Sequence, residues 1–188
     1  LIGSLAKEKN AVINIDNPNI KENYLKFTKY PRFYGFTTED FTVTEVKYNE
    51  VGSTFSLVLD GNTFTAQTPL VGSINIINIL AASSLAYLLG MKPQEIVSAL
   101  GKLKPNEHRL EIKKLKNNNI LIDDAYSSNI TGFEEALKLL GVYKDRTKIL
   151  VTPGIIELGA ISSQLHRGLG TKADMVADQI FLVGKNIR

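Results

Sequence analysis

The chain has 188 residues, 44% hydrophobic and 22% charged, with 22 basic against 19 acidic side chains and a net charge of +3. That length can bury one large core or two small ones, and the mild, scattered basic excess excludes the concentrated positive face of a nucleic-acid binder. Cysteine is absent, which excludes disulfides, cysteine-ligated zinc and thiol catalysis and fits a cytoplasmic location.

Residues 1–7 read as a helix with no initiating methionine and no signal-peptide pattern. Residues 11–15 form a short apolar run of the buried-strand kind, ended by Asp16-Asn17-Pro18. A mixed stretch, 21–30, suits a short helix before Pro31, and 32–36 suits another strand. The period then changes to two: 42–48 and 54–59 alternate, and Asp60-Gly61-Asn62 supplies a tight turn into 63–66. This predicts an antiparallel meander beside a parallel sheet.

Residues 75–89 read as a helix closed by Gly90, and Pro93 opens a second over 94–100. The apolar stretch 74–89 is interrupted by Asn75, Asn78, Ser83 and Ser84 and does not read as a membrane span. After a linker at 101–106 come strands at 110–115 and 120–122, a helix at 132–140, a strand at 148–152, a helix at 162–177 and a strand at 179–183. Strands alternating with helices imply a parallel sheet with right-handed crossovers. The expected domains are 1–105 and 106–188. Ending on a strand and turn, and starting without methionine, the chain reads as an internal piece of a longer protein.

Three clusters carry chemistry. The run Asp123-Asp124-Ala125-Tyr126-Ser127-Ser128-Asn129 lies between a predicted strand and a helix, the place where open α/β sheets bind ligands. A carboxylate there can accept from ribose hydroxyls and an amide can read a base edge; the same residues are also good turn and N-cap formers. Asn75 and Asn78, three apart, share one side of a helix start. They could cap backbone groups or meet a purine edge. Arg109, in the linker run Asn106-Glu107-His108-Arg109, could meet phosphate or support an aspartate, or form an ordinary surface ion pair.

In this order the clusters resemble the Mur ligase family of ATP-dependent peptide-bond-forming enzymes. The family pattern Gly-x-His-Asn-x-x-Asn-x-Leu-Ala-Ala is matched by Gly72, Asn75, Asn78, Leu80, Ala81 and Ala82. An arginine at the domain junction is matched by Arg109, and an Asp-rich strand end followed by Asn by Asp124 and Asn129. Asn14-Ile15-Asp16-Asn17 resembles the family's Asn-x-Asp-Asp, and Gly52-Ser53-Thr54-Phe55-Ser56-Leu57 its Gly-x-x-Phe-x-Leu hairpin. The strand-end run, together with Glu157-Leu158-Gly159 and His166, is similar to the branch that adds D-alanyl-D-alanine to a UDP-MurNAc-tripeptide. Three positions depart: Ile74 stands for the usual His, Ile130 for a Pro, and Val151-Thr152-Pro153-Gly154 for a Gly-Asp-Met loop.

The resemblance implies an α/β fold. Part of a central ATPase domain, a parallel sheet plus antiparallel meander, would be followed by the start of a Rossmann-like C-terminal domain, both incomplete. It implies a carboxylate–amine ligase of peptidoglycan precursor synthesis that uses ATP and Mg2+, a UDP-sugar-peptide and an amino acid or dipeptide, with no nucleic-acid partner and no membrane insertion. Asn75 and Asn78 would face adenine, Asp124 the ribose from a solvent-facing position, Arg109 ribose or phosphates, and Asn129 the nucleotide; Glu157 and His166 are candidates for the amine substrate. No Gly-Lys-Thr/Ser phosphate loop occurs within these residues, and the magnesium ligands would lie upstream, so no catalytic residue is expected here and these residues alone should not turn over. A rival reading is a catalytically silent module that binds a nucleotide or a partner protein.

Overall fold

Asp60 and Gly61 take φ of 53° and 80°, the two left-handed residues that a type I′ hairpin requires. They join β4 (Gly52–Leu59) to β5 (Asn62–Thr68), which run antiparallel with Leu59 opposite Asn62. This geometry comes from a computed structural model that describes residues 11–24, 31–126, 129–156 and 158–184. The helix expected at 1–7 and the substrate candidate Glu157 lie outside the described residues, as do Ser127 and Ser128.

Contacts divide the chain into two units. The first holds the described residues up to Lys47, with Gly52–Leu70 and Asn75–Lys104; the second holds Tyr48–Val51, Val71–Ile74 and the described residues from Pro105 onward.

In the first unit, β1 (Ala11–Asn14), β2 (Pro31–Tyr34), β3 (Phe41–Asn49), β4 and β5 form one sheet in that order. β1 and β2 are parallel, and β3 joins β2 through the parallel pair Tyr34–Phe41. The sheet thus passes from parallel to antiparallel, as the change of period predicted. Phe55, Leu57 and Leu59 alternate along β4 and are fully buried with Phe41, the pattern of a strand with one face in a core. Asn17 caps α1 (Pro18–Asn23) by accepting from the Asn19 and Ile20 amides. Asp16 ties the end of β1 to the bend after β2, accepting from the Phe36 amide at 2.7 Å and the Thr37 hydroxyl at 2.6 Å. α2 (Ser73–Leu88) buries Ile76, Ile79, Leu80 and Ser83, a helical stripe, and α3 (Pro93–Leu100) packs on β5.

The second unit contains β6 (Glu111–Lys114), β7 (Ile120–Asp123), α4 (Ile130–Gly141), β8 (Ile149–Thr152), α5 (Ser162–Asp174) and β9 (Gln179–Leu182). β8 and β9 are parallel, joined through α5 as the alternation predicted. β6 and β7 are antiparallel, since only five residues separate them and a parallel pair needs a longer crossover. Among the described residues β7 and β8 share no ladder. A cavity of about 640 Å³ lies between them, lined by Ile120, Ile122, Ile149 and Val151 with Phe133 and Leu137 of α4.

Gly52 has φ +143°, and a Cβ there would lie 2.0 Å from the Thr68 carbonyl oxygen. Gly168 is an interior residue of α5 with nothing within 4 Å of its Cβ position. In denaturant unfolding, Gly52→Ala should therefore lose on the order of 2 kcal/mol, whereas Gly168→Ala should gain about 0.5–1 kcal/mol. Equal effects would contradict this backbone assignment.

Candidate functional site

The hairpin register places Glu111 opposite Asp123 and Ile112 opposite Ile122. Because side chains alternate along a strand, Glu111, Lys113 and Asp123 share the outer face. Ile112 and Ile122 point the other way and pack on the buried cluster of Val71, Leu110 and Leu139. On the outer face the Lys113 ammonium lies 2.7 Å from Asp123 Oδ2 and 3.0 Å from Glu111 Oε2, and His108 Nδ1 lies 2.9 Å from the same Asp123 oxygen. The hydrogen bond from Lys113, then the one from His108, draw the Asp123 carboxyl down to about 2.

Asp124, one residue on, falls on the inner face. It is half-buried, which replaces the expectation of a solvent-facing carboxylate; the strand period explains the difference. Burial pushes its pKa up, against the opposing pull of the Leu110 amide and the Arg109 charge. Its Oδ1 accepts from the Leu110 amide at 3.1 Å. Arg109 is exposed, and its guanidinium carbon stands 4.5 Å over the Tyr126 ring, a cation–π contact. The Tyr126 amide donates to the His108 carbonyl at 3.2 Å. Asn129 is the N-cap of α4, its Oδ1 accepting from the Gly132 amide at 2.8 Å. The second unit thus brings Arg109, Asp124 and Tyr126 together at the end of β7, with Asn129 opening the helix that follows.

Asn75 and Asn78 lie on α2 in the first unit, Asn75 partly buried and Asn78 exposed. Gly72, in the segment that belongs by contact to the second unit, has φ +90°, and a Cβ there would meet Leu110 Cδ1 at 2.6 Å. In that segment the Ser73 amide donates to Glu135 Oε2 at 2.9 Å. Glu135 is 6% exposed; burial pushes its carboxyl up, but Lys138 and Ser73 outweigh that and hold it below the usual range. Sequence reasoning missed Glu135, although its place one helical turn from buried Leu139 marks it as a charge on a core face.

His166 is engaged by backbone at both nitrogens. Nε2 accepts from the Ile155 amide at 3.0 Å, so the proton sits on Nδ1, 3.0 Å from the Ser162 carbonyl. A Cβ at Gly154 would stand 2.8 Å from His166 Nε2. His166 therefore fixes the loop after β8 onto the start of α5.

Among the described residues, His108, Glu111 and Asp123 form the group with metal-ligand spacing. The Lys113 ammonium already sits between the two carboxylates, so the cluster carries its own cation and does not fit Mg2+. Also among the described residues, no helix is long and apolar enough to cross a membrane.

Comparison with known proteins gives a consistent set of likenesses. Residues 1–86 match the Mur ligase middle domain. The chain is 30% identical over 180 residues to the UDP-N-acetylmuramoyl-tripeptide–D-alanyl-D-alanine ligase of Escherichia coli, covering 93% of this chain and 39% of that protein. It is 30% identical over 184 residues to the enzyme of the same name from Bacillus subtilis, covering 95% and 39%. A crystal structure of MurF from Acinetobacter baumannii superposes with a TM-score of 0.84 at 25% identity, over 98% of this chain and 40% of that one. The chain therefore spans about two fifths of the length of these relatives.

The two neighbouring aspartates should titrate apart. Asp123, lowered to about 2, contributes stability that is present above its unfolded value near 3.8 and is lost as pH falls from about 4 toward 2. Asp124, raised by burial, carries the opposite sign: its charged form is penalised in the folded state, and protonation relieves that. A carboxyl-carbon NMR titration should show Asp123 midway near 2 and Asp124 above the ordinary aspartate value; two coincident midpoints would contradict the alternation of faces.

Proposed function

The chain belongs to the Mur ligase family, and on that premise we propose that it is part of a cytoplasmic ATP-dependent ligase that joins a D-Ala-D-Ala-type dipeptide to a UDP-MurNAc-peptide. In that reaction a substrate carboxylate oxygen attacks the γ-phosphorus of ATP, ADP leaves, and the amine displaces phosphate from the acyl-phosphate to form the amide. The observation that carries the reading is the strand-end cluster. A half-buried carboxylate, Asp124, stands beside an exposed guanidinium, Arg109, stacked on an aromatic ring, at the positions where the family motif has its nucleotide-facing residues.

Asp124 would accept a ribose hydroxyl through the oxygen not given to Leu110. Arg109 would meet ribose or phosphate, and the start of α4 would add its positive dipole end. Asn129 spends its oxygen on the helix cap, so the group it can offer a nucleotide is its amide nitrogen. Asn75 and Asn78 on the first unit would face adenine. The first unit corresponds in this reading to the central ATP-binding domain and the second to the start of the C-terminal domain. Mg2+ supplies charge neutralisation at the transferring phosphoryl group when bound. Amine recognition would fall to the Glu157 and His166 region of the chain, with His166 holding the loop after β8.

The test is made on the full gene product that contains this chain. ADP release should require both UDP-MurNAc-tripeptide and D-Ala-D-Ala; turnover with a different amine would move the protein to another branch, and nucleotide binding without turnover would make it a silent module. Asp124→Asn, which keeps an acceptor for the Leu110 amide, should raise the KM for ATP about tenfold with little change in Tm. Asn78→Ala should weaken nucleotide binding by a similar factor. Unchanged ATP kinetics in both variants would remove these residues from the site.

A further inference from the structure

The nucleotide-facing residues of the second unit are held by a second set of side chains that the reading above does not use. His108 and Leu110 flank Arg109, and both lie in the left-handed region at φ 59° and 47°. Neither is glycine, and left-handed backbone is costly for a residue with a Cβ. Such a conformation persists only where its surroundings over-determine it, and here each flank is tied. The His108 amide donates to Glu111 Oε2 at 3.2 Å, and the Leu110 amide donates to Asp124 Oδ1 at 3.1 Å. The His108 carbonyl accepts from the Tyr126 amide, and the His108 ring meets Asp123 Oδ2. Leu110 is itself packed into the cluster with Val71 and Leu139.

We propose that Asp123 and His108 are positioning residues: their contact clamps His108 and Leu110 in their left-handed conformations and so presents Arg109 and Asp124 together to the nucleotide. The proposal rests on the ATP-site reading above. The outer-face partners serve it directly. Lys113 also holds Asp123 Oδ2, and the Ala125 amide donates to Asp123 Oδ1, so the carboxylate that His108 meets is fixed by partners of its own. Released from the clamp, Arg109 loses the backbone direction that stacks it on Tyr126, and the Leu110 amide no longer occupies one oxygen of Asp124.

The strain supplies its own control. Glycine tolerates φ near 60° without cost, so His108→Gly relieves the conformation that the clamp must enforce, whereas His108→Ala removes the ring and keeps the strain. In the full gene product, Asp123→Ala and His108→Ala should each weaken ADP binding about tenfold and speed hydrogen exchange at the Leu110 and Tyr126 amides. In the His108→Gly background, Asp123→Ala should do neither, a non-additive pair of the kind that contacting residues show. Unchanged amide exchange in Asp123→Ala overturns the clamp, whatever ADP does. Faster exchange with ADP affinity intact overturns its role in positioning. An equal effect of Asp123→Ala in both backgrounds reduces Asp123 to a hairpin-stabilising residue. Wild-type protein that binds no ADP overturns the ATP-site reading itself, and the positioning role with it.

Discussion

The period of two along β7 is the constraint from which the rest of the second unit follows. It sends Asp123 outward to Lys113 and His108 and Asp124 inward toward Leu110, so two chemically identical neighbours acquire opposite electrostatic lives. One is a stabilised anion in a hydrogen-bonded network. The other is a partly desolvated carboxylate with one oxygen spent on backbone. A pair of aspartates at a strand end is thus not a doubled charge but a division of labour, with one residue building the turn and the other, in the proposed reading, facing a ligand.

The same economy governs the junction segment. Arg109 is exposed and could be dispersed among many rotamers, yet the backbone on both sides of it is fixed in an uncommon conformation and its guanidinium lies on Tyr126. Pre-ordering of this kind lowers the entropy lost when a ligand is bound. Gly72 contributes from the other side: its φ of +90° is strained for a residue with a Cβ, and a Cβ there would also push on Leu110 Cδ1. Glu135 completes the arrangement by anchoring the Ser73 amide from α4. Its buried charge is compensated by Lys138 and by that amide, as a buried carboxylate must be.

Much of this was legible in the residues. Alternation at 54–59, the Asp-Gly turn and the Gly90 and Pro93 punctuation located the meander and both helices to within a few residues, because each signal is local. Motif order singled out Arg109 and Asp124, and the Arg109 charge is near enough to act on the Asp124 carboxyl. What the sequence could not reveal depends on pairing. The five-residue gap makes β6 and β7 a hairpin, but nothing local fixes its register, and without that register the inward turn of Asp124 and the Lys113–Asp123–His108 network are invisible. His166 was legible as a histidine near a loop but not as one with both nitrogens committed to backbone, since Ile155 and Ser162 are brought to it by the turn at Gly154.

A crystal structure of the full gene product with ADP bound would show whether the end of β7 is one wall of a nucleotide site. A ribose hydroxyl should then lie on the free oxygen of Asp124, with Arg109 turned to ribose or phosphate and the Leu110 amide still on Oδ1. ADP bound elsewhere, with Asp124 touching only Leu110, would contradict it.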